Sequence, residues 1–324
     1  MRLLSRRRTM IFALATALSA STFIATVASA TGSGSVATNA QVLAAVKAAQ
    51  SITRVPSNLT PVLTNENDIE VLNSGGFCPA HYNAPKVGVD VFHFGWCTYG
   101  DPTGKRLLVI FGDSHAGMWL TSIRDAAARA GWRVRIFYFP GCPAPDLTFY
   151  SQTSNTPNLQ CNEFRTDAIK AIRKLHPAMV VVTSASLSQE VANGAIATSA
   201  QWETGYSETL SMLKMAGTQL VVIGDIPVLA EDDATCLAAH ESDVKACSTP
   251  LAQAEKGVLN SAEAQAANAN GALYIPTAQW MCDQVCVPIV GHIRVYNNQF
   301  HISATYAKYL SGAVQTALNL GGNL

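Results

Sequence analysis

Residues 107–119 read LLVIFGDSHAGMW, in which five apolar residues precede a glycine, three polar residues and a second, more mixed stretch. A short apolar run bounded by a turn signal is typical of a strand that is buried on both faces. Gly112 permits a sharp turn because it has no Cβ atom. The stretch therefore predicts a buried strand, a tight turn and a helix, with Ser114 close to the helix start.

Further short apolar runs follow along the chain, and helix-like patterns separate them. Because this alternation is typical of a parallel sheet covered on both faces, we predict a three-layer αβα fold with a mostly parallel, five-stranded sheet. The predicted strands are residues 107–111, 134–139, 179–183, 220–223 and 273–275. The predicted helices are residues 118–130, 162–175, 200–216, 251–269 and 303–318.

Ser114 follows the first predicted strand at its carboxyl end, the edge of the sheet where ligands bind in such folds. At a helix start its hydroxyl can face a cleft, and the first backbone N–H groups can hold a developing oxyanion at the same point. The alternative is structural, with Ser114 as a helix cap and Asp113 as a turn residue. The spacing alone leaves both interpretations open.

Residues 1–30 have the layout of a secretory signal: four arginines, an apolar run over residues 10–27, and Ala28-Ser29-Ala30 as a cleavage site. The alternative is an uncleaved anchor, because the run is only slightly shorter than the roughly 20 residues that span a bilayer. We expect residues 31–40 to form a flexible linker rich in small polar residues. Residues 41–100 then form an N-terminal extension that packs on the main domain, residues 101–324.

The composition, 48% hydrophobic and 14% charged, provides apolar material for a sizeable core and argues against disorder. Residues 1–30 hold four of the 22 basic residues and none of the 22 acidic ones, so the chain after them is net negative. This balance argues against nucleic acid as a partner. No later segment is apolar for long enough to span a bilayer, so we expect membrane contact only through an uncleaved signal.

Eight cysteines in an exported chain favour disulfides over metal ligands. The simplest of the many possible pairings joins cysteines that are neighbours in sequence, and we adopt it as a hypothesis. A zinc site at Cys282 and Cys286 is the alternative, but no second CxxC or HxxxH motif accompanies it, so we expect no metal and no cofactor. The predicted pairs are Cys78–Cys97, Cys142–Cys161, Cys236–Cys247 and Cys282–Cys286.

GDSH at residues 112–115 resembles the first sequence block of the SGNH/GDSL hydrolases. More narrowly, the chain from about residue 41 onwards resembles the extracytoplasmic SGNH domain fused behind the membrane part of acyltransferase-3 (AT3) proteins. This resemblance implies the SGNH hydrolase fold, which is flavodoxin-like, here stabilised by disulfides. The other motifs that carry it are CTYGD at 97–101, GCP at 141–143, IGDIP at 223–227 before Cys236, Met281 to Cys286, and HIS at 301–303 before the last helix.

The family carries its catalytic histidine just before the C-terminal helix, which places that role on His301. His115 adjoins the serine, but consecutive residues at a helix start point in different directions, so we expect His115 and Asp113 to support the site. The family pattern has an aspartate three residues before the catalytic histidine, where this chain has Asn298. An amide can orient an imidazole but cannot stabilise its charge. A weak enzyme, a Ser114–His301 dyad and an inactive relic therefore stay open.

The resemblance also implies the donors of the oxyanion hole. The backbone N–H of Ser114 is one donor, and Gly141 stands where the second block of the family supplies another. The third block has an asparagine after the third strand, whereas this chain has Ser184 and Ser186 there. We consider Ser184 as the substitute donor, and an ordinary loop serine is the alternative.

These motifs imply acyl transfer through a serine ester on Ser114, within a catalytic domain of residues 101–324. We expect a secreted or extracytoplasmic serine esterase or O-acyltransferase that acts on short acyl esters of cell-envelope carbohydrate. Fused relatives receive their acyl group from AT3 membrane helices, so a transferase would need a separate membrane acyltransferase as partner. The alternative, favoured by Asn298, is a catalytically weakened or inactive carbohydrate-binding or accessory protein.

Overall fold

The computed structural model describes residues 36–65, 67–69, 93–94, 97–151, 154–192 and 194–321. The predicted signal at residues 1–30 lies outside these ranges, together with parts of the predicted linker and extension. All of the described residues belong to one compact unit. Among them, no helix is both long and apolar enough to cross a bilayer.

The strands are short and most of them end at buried positions. In chain order they are His93–Phe94 (β1), Tyr99–Gly100 (β2), Arg106–Gly112 (β3), Trp132–Tyr138 (β4), Met179–Thr183 (β5), Gln219–Ile223 (β6), Thr249–Pro250 (β7), Leu273–Ile275 (β8), Val285–Cys286 (β9), Ile289–Val290 (β10), Ile293–Arg294 (β11), Tyr296–Asn298 (β12) and His301–Ile302 (β13).

Five of these strands form the parallel part of the central sheet, in the spatial order β4-β3-β5-β6-β8. This order is flavodoxin-like, and all five strands coincide with the predicted ones to within two residues at each end. The sheet has seven strands instead of the predicted five, because β1 and β2 pair antiparallel with β4. A strand of two residues is too short to show a periodic pattern, which is why the sequence did not reveal these additions.

Helices separate the parallel strands. In chain order they are Asn39–Ala49 (α1), Ser114–Ala130 (α2), Leu159–Leu175 (α3), Ser199–Leu213 (α4), Asp233–Ala239 (α5), Leu251–Ala254 (α6), Asn260–Ala269 (α7), Ala304–Tyr309 (α8) and Ser311–Ala317 (α9). The helix predicted at 251–269 is broken into α6 and α7, with Gly257 between them at a left-handed φ of 85°. The helix predicted at 303–318 is likewise divided, at Leu310.

The predicted linker ends earlier than expected. Helix α1 begins at Asn39, and Thr38 and Gln41 form a capping box that satisfies backbone N–H groups at its start. Ala37 is buried, with its carbonyl against Gly312 of α9. The prediction of a flexible linker up to residue 40 is therefore wrong for its last residues, because the cap and this packing fix them.

Side chains of the parallel strands alternate between two cores. Leu108 and Ile110 of β3 pack in a core with α1, α2, α8 and α9. Val109 and Phe111 of the same strand pack in a second core with α3, α4 and α7. Because successive side chains of a strand point to opposite faces, the sheet lies between two helical layers, which confirms the three-layer prediction.

Three of the four predicted disulfides are present in the described residues: Cys142–Cys161, Cys236–Cys247 and Cys282–Cys286. The zinc alternative at Cys282 and Cys286 is therefore wrong. Cys97 is also disulfide-bonded, and Cys78, its predicted partner, lies outside the described residues.

Candidate active site

A tight turn between β3 and α2 presents Ser114. A Cβ atom on Gly112, at φ 156°, would lie 1.9 Å from the carbonyl oxygen of Thr183, so a side chain there would collide with β5. Asp113, not Ser114, is the N-cap of α2, and its carboxylate accepts the backbone N–H of His115 at 2.9 Å. The alternative of Ser114 as a helix cap is therefore wrong, and its side chain is left for other contacts.

The second oxygen of Asp113 accepts the backbone N–H of Ala185 at 2.9 Å. Asp113 thus ties the turn at the end of β3 to the loop after β5, and burial raises the pKa of this carboxyl. This supporting position agrees with the expectation from the sequence.

His301 reaches Ser114 from the hairpin of β12 and β13, in which Asn298 pairs with His301. The Nε2 atom of His301 lies 2.9 Å from the Oγ atom of Ser114. The Nδ1 atom of the same ring lies 3.0 Å from the Oδ1 atom of Asn298. The hairpin therefore assembles a continuous serine–imidazole–amide chain from residues far apart in sequence.

The contacts of Asn298 determine which nitrogen of His301 carries the proton. The backbone N–H of Phe300 donates to Oδ1 of Asn298 at 2.9 Å, so the atom facing this donor must be the amide oxygen. The same oxygen faces Nδ1 of His301, and Nδ1 must therefore carry a hydrogen. The neutral ring then has a lone pair on Nε2, which can accept the hydroxyl proton of Ser114. An amide thus fixes the tautomer that a general base needs.

His301 is uncharged at neutral pH. Burial, followed by the charge of neighbouring His115, lowers the pKa of His301 to about 4. A neutral imidazole can accept a proton, but among the described residues no carboxylate touches the ring to stabilise the imidazolium that results. Asn298 therefore orients the base without supplying charge.

His115 lies beneath this chain, with its ring edge-on to that of His301 and the ring centroids 5.0 Å apart. Its Nδ1 atom is 2.7 Å from Oδ1 of Asp225, and both residues are almost fully buried. Burial alone would lower the pKa of His115, but the carboxylates of Asp225 and Asp113 raise it above its ordinary value. Burial also opposes the charge of Asp225, yet His115 and hydrogen bonds from Ser186 lower the pKa of this carboxyl.

Asp225 lies in the motif IGDIP, but the motif alone predicts no role for this residue. An aspartate that follows Gly224 at the carboxyl end of β6 was the available signal, since that sheet edge also carries Ser114. The pairing with His115 could not be predicted, because it depends on packing between α2 and the loop after β6, which are far apart in sequence.

Two of the three predicted oxyanion donors, Ser114 and Gly141, have unpaired backbone N–H groups in the described part of the chain. Gly141 is exposed in the loop after β4, beside Pro140, which lines the same cavity as Ser114. Neither N–H group is used within the described part of the chain, and of the two residues Ser114 itself lines the cavity.

Ser184 cannot be an oxyanion donor. Its side chain is fully buried, and its hydroxyl oxygen accepts the backbone N–H of Ala144 at 2.8 Å and contacts Tyr206. Ser186 is also buried, and its hydroxyl donates to Asp225 at 2.9 Å. The prediction for Ser184 is therefore wrong, because both serines hold neighbouring loops in place.

A cavity of about 390 Å³ opens over Ser114. Its walls come from the end of β4, the first turn of α2, the β12–β13 hairpin, and Asn67 and Ile69. No group of His, Cys, Asp and Glu residues in the described ranges has the arrangement of a metal site. The residues that line the cavity are Asn67, Ile69, Ser114, Gly117, Met118, Tyr138, Pro140, Asn297, Asn298, His301, Ile302 and Ala304.

Proteins of known structure share this fold. The periplasmic domain of a lipopolysaccharide acetyltransferase from Salmonella ser. Paratyphi A is similar with a TM-score of 0.54 and 15% identity, over 68% of this chain and 85% of that chain. Est24, a carbohydrate acetylesterase from Sinorhizobium meliloti, is similar with a TM-score of 0.43 and 12% identity, over 66% of this chain and 99% of that chain. At such identity, a structural likeness shows the fold alone.

A search of curated protein sequences finds no significant match. The family model for the SGNH domain (fused to AT3 domains) matches residues 78–316, which is most of the chain. The chain therefore belongs to this family of SGNH domains.

Proposed function

We propose that this protein is an extracytoplasmic serine esterase or O-acyltransferase that transfers short acyl groups from, or to, hydroxyl groups of cell-envelope carbohydrate. The observation that carries the proposal is the chain of contacts from Ser114 through His301 to Asn298, with Nε2 of the imidazole 2.9 Å from the serine hydroxyl. Membership of the SGNH family and the two carbohydrate-acting structural neighbours support the substrate class.

In the first half-reaction, Nε2 of His301 accepts the hydroxyl proton of Ser114 while Oγ attacks the ester carbonyl carbon. The carbonyl oxygen becomes an oxyanion, which the backbone N–H groups of Ser114 and Gly141 hold. When the bond to the leaving alcohol breaks, the imidazolium donates its proton to the alkoxide oxygen. The products are a free alcohol and an acyl ester on Ser114.

The second half-reaction decides between the two activities. Water or an acceptor hydroxyl gives its proton to His301 and attacks the acyl carbon. The bond between the acyl carbon and Oγ of Ser114 then breaks, and His301 returns the proton to Oγ. Attack by water makes the protein an esterase. Attack by a sugar hydroxyl makes it an O-acyltransferase, for which a membrane acyltransferase is the natural donor because the family occurs fused to AT3 domains.

A non-catalytic carbohydrate-binding or accessory protein is the second candidate. The replacement of the family's aspartate by Asn298 favours it, because the imidazolium then lacks a carboxylate partner. The serine, the imidazole and the amide nevertheless keep the hydrogen-bond distances that general-base catalysis needs, so we prefer the enzymatic function.

The test is release of chromophore from 4-nitrophenyl acetate by the purified protein, its Ser114→Ala variant and the control variant Ser211→Ala. Ser211 is an exposed serine on α4, outside the cavity. We expect turnover by the wild type and by Ser211→Ala, and none above background by Ser114→Ala. Equal rates in all three proteins would overturn the proposal. Addition of a methyl glycoside then separates the activities, because a transferase forms the acetylated glycoside and an esterase forms acetate alone.

A further inference from the structure

Part of the wall of the cavity over Ser114 comes from residues that lie before the family match in the sequence. Asn67 and Ile69 line this cavity, whereas the SGNH family model begins at residue 78. Residues 60–65 and 67–69, here called the extension strap, therefore add to the site from outside the region that the family model covers.

The strap is held against β11, which directly precedes the hairpin that carries His301. The guanidinium of Arg294, which is fully buried, donates to the carbonyl oxygens of Val62 and Leu63 at 3.3 Å each and to that of Asn65 at 2.7 Å. The backbone N–H of Arg294 also donates to the carbonyl of Thr60 at 2.9 Å. Hydrogen bonds from a buried cation are among the stronger ones, so the position of the strap is fixed by the fold.

Asp68 completes the attachment. Its backbone N–H donates to Oδ1 of Asn297 at 2.9 Å, next to Asn298 in the hairpin. Its carboxylate accepts the backbone N–H of Thr305 at 3.0 Å, and its carbonyl accepts that of Ala304 at 2.7 Å. Asp68 thus faces the protein, and its two neighbours, Asn67 and Ile69, face the cavity.

The chemistry of the reaction indicates which part of the substrate lies beside the strap. His301 must donate its proton to the leaving alcohol, and it must later accept one from the attacking water or alcohol, so the alcohol part of the ester lies on the His301 side of Ser114. The strap lies on that side, beside Asn297 and Asn298.

Resting on the proposed function, we infer that Asn67 and Ile69 form a specificity-determining subsite for the sugar that carries, or accepts, the acyl group. The side-chain amide of Asn67 has no partner among the described residues, and Ile69 is 52% exposed. An amide beside an aliphatic side chain suits a sugar ring, whose hydroxyl groups form hydrogen bonds and whose C–H groups pack on apolar surface. A small alkyl alcohol offers too little surface to use both.

The test compares two acetate esters that differ only in the alcohol: a mono-O-acetyl methyl glucoside and ethyl acetate. Acetate release gives kcat/KM for the wild type, Asn67→Ala, Ile69→Ala and the control Ile196→Ala. Ile196 is similarly exposed, at 48%, and does not line the cavity. We expect each strap variant to lower the preference for the glucoside about fivefold, the size of one lost hydrogen bond or apolar contact, mainly through KM. The control should keep the wild-type preference.

An unchanged preference in both strap variants, or an equal loss in Ile196→Ala, would overturn the inference. If the wild type cleaves neither ester, the proposed function fails, and binding of the same acetylated glucoside, measured by calorimetry, tests the subsite alone. Binding that weakens in Asn67→Ala and Ile69→Ala, but not in Ile196→Ala, supports the subsite. Absent binding, or equal binding by all four proteins, contradicts it.

Discussion

Two histidines pack edge to face at this site, and their pKa values are shifted in opposite directions. His115 faces the carboxylate of Asp225 in the interior, and its pKa is raised. His301 faces the amide of Asn298 at the edge of the cavity, and burial together with the charge of His115 lowers its pKa to about 4. The surroundings therefore favour the protonated form of His115 and the neutral form of His301.

The difference shows that the partner of Nδ1 determines whether each ring is stabilised as a cation or stays neutral. A carboxylate stabilises an imidazolium, so His115 and Asp225 form an ion pair that links the start of α2 to the end of β6. An amide oxygen fixes a tautomer and leaves the ring neutral, so His301 remains able to accept a proton. The buried pair of His115 and Asp225 thus lies next to the site, where the ring of His115 packs against that of His301.

Replacement of one of the two histidines, His301, should have the largest effect, which is a loss of kcat. In His301→Ala, no base accepts the proton of Ser114, and we expect kcat for 4-nitrophenyl acetate to fall by about 10³-fold or more. In the matched variant His115→Gln, the Ser114–His301 contact stays, and kcat should fall by no more than about tenfold. Steady-state kinetics of the two variants gives the answer. A greater loss in His115→Gln would mean that the wrong histidine has been assigned as base.

Replacement of Asp225 tests the buried pair. Asp225→Asn leaves His115 without its counter-charge, and we expect the free energy of unfolding to fall by about 3 kcal/mol in urea titrations near pH 5.5. The lowered pKa of Asp225 makes its contribution present above its ordinary pKa of 3.8 and lost as the pH falls through the folded value. The raised pKa of His115 makes its contribution present below 6.5 and lost as the pH rises through the folded value.

The stability difference between wild type and Asp225→Asn should therefore be greatest between about pH 4 and 6.5 and should shrink on both sides. A difference that does not change with pH would mean that the two groups are not an ion pair. Asp243→Asn, at an exposed aspartate, is the control and should leave the unfolding free energy nearly unchanged.

The smallest expected change comes from giving His301 a carboxylate. In Asn298→Asp, the pKa of His301 should rise by about one to two units, because an opposite charge then touches the ring. Since kcat/KM requires the neutral ring, the acid limb of its pH profile should move from about pH 4 to higher pH. We expect kcat at pH 8 to rise about tenfold to a hundredfold, less than the 10⁴ of the serine-protease template, because the wild-type amide already fixes the tautomer. An unmoved acid limb would show that Asn298 does not contact the ring in solution.

The sequence predicted the parallel sheet well because the evidence for it is local. Five short apolar runs separated by helical patterns reappear as β3, β4, β5, β6 and β8, with boundaries within two residues. The turn at Gly112 was also legible, since glycine at a strand end before polar residues is a strong local signal. These features depend on residues adjacent in the chain.

Features that depend on packing between distant segments were not predicted. The structural role of Ser184 depends on the contacts of its hydroxyl with Ala144 and Tyr206, which no local sequence pattern reveals. The pairing of His115 with Asp225 joins the start of α2 to the loop after β6. The strap is held at the cavity by Arg294 and Asp68, through contacts with segments far away in sequence. The roles of Ser114, His301 and Asn298 rest on a family resemblance, and their distances in the structure are those that these roles require.

The central claim is that Ser114 is a nucleophile activated by His301, and covalent labelling tests it most directly. The purified protein would be treated with an alkyl fluorophosphonate, which forms a stable adduct with an activated serine, and the modified peptide identified by mass spectrometry. We predict one adduct, on Ser114, and a labelling rate that falls at least about a hundredfold in His301→Ala. An adduct on another residue, or equal labelling rates with and without His301, would contradict the account.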